Sequence, residues 1–121
     1  MKQESINRAY SSLLKLKDYK LPLKKAYAIY KLYTAISESY EFALGEEQKY
    51  MMEYKGKPNG DGTVTFATPT DCAAFRDKVE ELNNMDVDVN VEAVAISERD
   101  LGEQAITPSD IANLEGFVTF E

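Results

Sequence analysis

The chain has 121 residues, 44% of them hydrophobic and 29% charged, with a formal net charge of -7, no histidine and one cysteine. That size predicts one domain around one core, and the balance of apolar and charged residues predicts a folded rather than a disordered chain. Without histidine, and with Cys72 alone, Ser-His-Asp and Cys-His nucleophile arrangements, internal disulfides and zinc sites built from His or several Cys are excluded by inventory.

The first element is a helix over residues 4–19, where Ile6, Ala9, Tyr10, Leu13, Leu14 and Leu16 recur at the spacing of a single stripe. Leu21-Pro22 interrupts it, because proline disfavours helical geometry in the residue before it and suits the first turn of a new helix. A second helix is predicted from Pro22 to about Tyr54, weakened only at Gly45. Its length exceeds what the core of so small a domain requires. Leu23, Ala26, Tyr30, Tyr33, Ser37, Tyr40, Leu44, Glu47, Met51 and Tyr54 make a heptad-like seam, and Ile29, Leu32, Ile36 and Ala43 make a second stripe beside it. The first helix can cover only one of the two, so the other is expected to meet a second subunit or a partner.

Lys57-Pro58-Asn59-Gly60-Asp61-Gly62 reads as a loop and Thr63-Val64-Thr65-Phe66 as a strand. Thr68-Pro69-Thr70-Asp71 opens a helix with apolar face Cys72, Phe75, Val79 and Leu82. From Asp86 to Ile96 the valines alternate with acidic or polar residues, which predicts a strand with one solvated face. Thr107-Pro108-Ser109-Asp110 starts a short helix through Leu114, closed by Gly116, and Phe117 to Phe120 forms a last strand. The predicted fold is α+β: an N-terminal αα-hairpin (1–55) with a long second helix, then a small α/β portion (56–121). The latter holds a mainly antiparallel sheet of about three strands covered by one or two helices, all in one domain.

Charge divides along this order. Residues 1–31 carry Lys2, Arg8, Lys15, Lys17, Lys20, Lys24, Lys25 and Lys31 against Glu4 and Asp18, so that segment is +6 and residues 32–121 are -13. Two surfaces of opposite sign follow: a basic one at Lys15, Lys17, Lys20, Lys24 and Lys25, and an acidic one at Asp86, Asp88 and Glu92. The acidic row starts like a calcium loop, but Val91 stands where that loop needs glycine and Ser97 where it needs glutamate. Glu46-Glu47 and Glu80-Glu81 are adjacent helical residues whose side chains diverge by about 100°, unlike the facing carboxyls of a glycosidase. Asn59-Gly60-Asp61-Gly62 lacks the lysine and hydroxyl residue of a phosphate loop.

All eight tyrosines lie in the first 54 residues, interleaved with lysines. Three roles fit that cluster: the hairpin's own core, a subunit or partner interface, or a nucleic-acid surface on which rings stack and lysines meet phosphates. With Arg8 the one arginine in the region, sequence-specific base readout ranks last. Tyr30, Tyr33, Tyr40, Leu44, Met51 and Tyr54 are the candidate interface.

Several segments together resemble a family of small uncharacterised proteins encoded by tailed bacteriophages of Gram-positive and gut bacteria. They are Lys20-Leu21-Pro22-Leu23-Lys24-Lys25-Ala26-Tyr27, Glu53-Tyr54-Lys55-Gly56, the Asp61-Gly62 turn, the acidic Asp86 to Glu92 segment and Ile106-Thr107-Pro108-Ser109-Asp110-Ile111-Ala112-Asn113-Leu114. The resemblance implies a phage setting, in the host cytoplasm or the virion, and brings no catalytic residue. The resulting expectation is a non-enzymatic protein without cofactor or metal. It would self-associate or bind another phage protein during assembly, with no membrane contact. The alternative is an acidic inhibitor or decoy for a host protein.

Overall fold

The computed structural model describes residues 1–121. Two helices, α1 (Gln3–Lys17) and α2 (Leu23–Glu53), form the predicted hairpin about the Leu21-Pro22 break. Their packing follows the apolar period: Ile6, Ala9, Leu13 and Leu16 of α1 are buried against Ile29, Leu32 and Ile36 of α2. The turn between them is pinned by residues far along the chain. Gln104 accepts from the Lys20 backbone N–H (2.7 Å) and donates to the Lys20 carbonyl (3.0 Å), while the Tyr19 hydroxyl donates to the Ala105 carbonyl.

At about 1.5 Å per residue, the 31 residues of α2 span about 46 Å, roughly twice the length of the 15-residue α1. Its C-terminus is closed by a Schellman arrangement: the Gly56 N–H donates to the Met51 carbonyl (2.8 Å) and the Lys55 N–H to the Met52 carbonyl (3.2 Å). Lys55 holds the left-handed position that this turn requires, with φ 56°.

The segment predicted as a loop supplies its own strand. β1 (Lys57–Pro58) pairs antiparallel with β2 (Val64–Thr65) across a turn in which the Asp61 carboxylate accepts from the Thr63 N–H (2.9 Å). Helix α3 (Pro69–Asn83) begins as its cap signature predicts, with the Thr68 hydroxyl accepting from the Asp71 N–H (3.1 Å). Two more helices carry reciprocal capping boxes: α4 (Glu98–Leu101) from Ser97 and Asp100, and α5 (Pro108–Asn113) from Thr107 and Asp110.

The architecture is α+β, with the sheet structure divided differently from the expectation. Instead of one mainly antiparallel sheet of about three strands, there are two two-stranded sheets, β1–β2 and a parallel pair of β3 (Val94–Ile96) with β4 (Val118–Phe120). The strand predicted from Asp86 to Ile96 keeps only its last three residues. Its first part alternates as predicted, with Val87, Val89 and Val91 packed against the core and Asp86, Asp88 and Glu92 exposed. Only its first residue is paired, however: Asp86 makes an isolated antiparallel bridge with Lys2, in which Val87 donates to the Met1 carbonyl (2.7 Å), and Val91 then turns back on Val89 (3.2 Å). The parallel pairing follows from the connection, since residues 97–117 with α4 and α5 are long enough for a crossover. Ile96, Leu114, Phe117 and Val118 complete the core against the hairpin.

Candidate interaction surfaces on the long helix

The six candidate interface residues do not share one surface. Tyr33 and Tyr40 turn toward α1, where the Tyr10 ring stacks on Tyr40 (centroids 3.7 Å apart, planes at 8°) and lies 5.6 Å from that of Tyr33. The Tyr10 and Tyr33 hydroxyls are 3.3 Å apart. These rings pack against the core, so part of the tyrosine cluster belongs to the hairpin interior. The stripe Ile29, Leu32, Ile36 and Ala43 is the buried face of α2, and the predicted seam flanks it. Met51 and Tyr54 are half-buried, Met51 at the base of the β1–β2 hairpin near Gly56. Tyr30 and Leu44 remain exposed, at 60% and 42%.

Beyond the predicted set, Leu23 (85% exposed) and Tyr27 join Tyr30 on the outer side of α2 at spacings of four and three, and Phe42 and Met52 stand uncovered further along. The Tyr27 and Tyr30 rings stack on one another with centroids 6.5 Å apart, and the Lys31 ammonium lies 5.4 Å from the Tyr27 centroid. The spacing of Leu23, Tyr27 and Tyr30 was visible in the sequence, but only the placement of α1 shows that nothing in the chain covers it.

The basic residues are divided among different tasks. Lys15 pairs with Asp110 (3.2 Å), and Lys17 sits over the Tyr33 ring, 4.9 Å from its centroid. The Lys25 ammonium donates to the Ala95 carbonyl of β3. Lys20 is exposed at the turn. Lys24 and Lys25, together with Lys31, border a groove of about 770 Å³ between α2 and residues 90–95, floored by Ala28, Leu32, Val91 and Val94. The acidic side of the molecule is simpler: Asp86, Asp88 and Glu92 all face solvent, and Glu92 reaches the rim of that groove.

Asp110 is the one buried carboxylate, 5% exposed. Burial pushes its carboxyl up, but hydrogen bonds from Ser12 (2.9 Å), Lys15 (3.2 Å) and Thr107 (3.0 Å) outweigh that and hold it below the ordinary carboxylate value. All of its partners are fixed by the fold, so it acts as a clip between α1 and α5. No three His, Cys, Asp or Glu side chains converge as a metal ion would require, and no helix is long and apolar enough to cross a membrane. Comparison with models of protein families, with curated proteins and with solved structures found no match to this chain.

Proposed function

We propose that the chain is a non-enzymatic contact protein that associates with further copies of itself through the outer side of α2, as a component of a larger assembly. The resemblance of its sequence segments gives that assembly a bacteriophage setting, in the host cytoplasm or in the virion. The observation that carries the reading is uncovered surface. The accessible area of 8279 Å² stands about 1,700 Å² above the about 6,600 Å² typical of a folded monomer of 13.6 kDa. A standard interface removes roughly 800 Å² from each partner, so the excess is about twice what one such interface covers on one chain. Leu23, Tyr27, Tyr30, Phe42 and Leu44 supply the apolar and aromatic groups that such interfaces favour.

Sedimentation velocity over a range of protein concentrations tests this. The parent chain is expected to form an oligomer at micromolar concentration, and the double variant Tyr27→Glu, Tyr30→Glu to sediment as a monomer with an unchanged helical circular dichroism spectrum. A parent chain that remains monomeric at high micromolar concentration would overturn the reading.

Asp86, Asp88 and Glu92 favour a second reading, an acidic inhibitor or decoy for a host protein, because all three are exposed within one short segment. Reversal of the three to lysine should then abolish recovery of a host partner from infected cells. Recovery of the same partner by the reversed chain would exclude this role.

A further inference from the structure

The groove between α2 and β3 has a feature that its lining alone does not convey: one wall is an unpaired strand edge. β3 has a neighbour on one side only, since Val94 donates to the Phe117 carbonyl (2.9 Å) and Ile96 accepts from the Glu121 N–H (2.9 Å), both toward β4. Backbone groups alternate in direction along a strand, so the N–H and C=O of Ala95 point the other way, into the groove. There the Ala95 carbonyl is met by the Lys25 ammonium, a side chain standing where a further strand would bond. The floor is apolar, the rim carries Lys24, Lys25 and Lys31 against the single acid Glu92, and the volume of about 770 Å³ lies in the range of ligand sites.

We propose that this groove takes an extended, acidic segment of a partner protein, which adds to the free edge of β3 as a third strand. Main-chain bonds to the edge would supply affinity, and alternate side chains would meet the apolar floor and the lysine rim. The charge selects the occupant. A second β3 edge from another copy would bring the same three lysines face to face, so edge-to-edge pairing of two copies is opposed by like charge. The site adjoins the Leu23, Tyr27 and Tyr30 row proposed for self-association, with Lys31 common to both, but requires none of that row's apolar side chains.

The test uses a fluorescent peptide of alternating glutamate and valine, followed by anisotropy with the full chain. Binding is expected in the micromolar range and should weaken as salt rises. A lysine-valine peptide should fail to bind, and so should the glutamate-valine peptide methylated at alternate backbone nitrogens, which removes its strand bonds and keeps its charge. The double variant Lys24→Glu, Lys31→Glu should lose affinity by about tenfold or more, because both side chains sit on the rim and neither is buried. Failure of the parent peptide to bind overturns the proposal. Equal binding by the methylated peptide overturns strand addition, and equal or tighter binding of a single-stranded oligonucleotide would show a phosphate site instead. Sedimentation of the peptide complex distinguishes a binary complex, as expected, from displacement of one copy of the chain by the peptide, which would assign the groove to self-association and defeat the proposal.

Discussion

The hydroxyl of Ser12 donates to Asp110 Oδ1 over 2.9 Å, joining residues 98 positions apart in the chain. Asn113 donates to the same hydroxyl (3.3 Å), and Lys15 and Thr107 complete the shell around the carboxylate. A helix of only six residues is thereby fixed to α1 by polar contacts at the edge of an apolar core.

Replacement of Asp110 by alanine should destabilise the fold by about 1–3 kcal/mol, because the buried Ser12 hydroxyl loses its acceptor and the Thr107 capping contact is lost with it. Urea unfolding at neutral pH is the measurement, and Asp110→Asn, which keeps one acceptor oxygen, should cost less. The pH dependence has a definite sign. The folded carboxyl lies below its ordinary value of 3.8, so its contribution is present above that value and lost as the pH falls through the folded one. The stability gap between the parent and Asp110→Ala should therefore narrow in acid.

At the alkaline end Tyr10 and Tyr33 titrate as a pair, and the bond between their hydroxyls holds the Tyr33 phenol below its ordinary value. For Tyr10 the same hydrogen bond, then burial, then the nearby Tyr33, Tyr40 and Glu41 push the phenol from 10.0 up to about 12. A raised folded value means stabilisation that is complete below 10.0 and is lost as the pH climbs to about 12. Tyrosinate absorbance should show one late-titrating tyrosine, and Tyr10→Phe should remove both that component and the matching loss of stability.

Two adjacent residues at the end of α2 should respond in opposite directions. Lys55 holds a left-handed φ of 56°, so Lys55→Gly should stabilise by up to about 1 kcal/mol. A Cβ on Gly56 would stand 2.9 Å from Val64 Cγ1 and from Phe66 Cε1, so Gly56→Ala should cost about 1–3 kcal/mol through overpacking under the β1–β2 hairpin. Thermal melts of the two variants check both signs.

The helices were legible because their signals are local. Apolar spacing set α1 and α2, proline set the break between them, and Thr68 and Thr107 with a carboxylate three residues on marked the starts of α3 and α5. Ser97 and Asp100 carry the same box and could have revealed α4, but no proline drew attention to it. The strands were less legible, since alternation from Asp86 onward reports only which side chains face inward. Whether such a segment joins a ladder depends on a neighbour, and for residues 94–96 that neighbour is residues 118–120. Gln3 and Ser12 gave no sign of being buried, because their partners, Ser39 and Asp110, are distant in sequence. For the interface, periodicity identified the stripes of α2, but the position of α1 decided that Tyr33 and Tyr40 face inward while Tyr27 and Tyr30 do not.

The late position of the segments that finish the core bears on how the chain is made. Leu114, Phe117 and Val118 pack on Ile6, Leu13, Ile29 and Ile36 of the hairpin, and the N-terminal residues Met1 and Gln3 are hydrogen-bonded to residues 85–87. During synthesis, at about 5–20 residues per second, the helical hairpin emerges several seconds before those residues do. Throughout that interval the part of its apolar surface that those residues later cover faces water with only another nascent hairpin or a chaperone to shield it, so the yield of folded protein should depend on how crowded the translating messenger is.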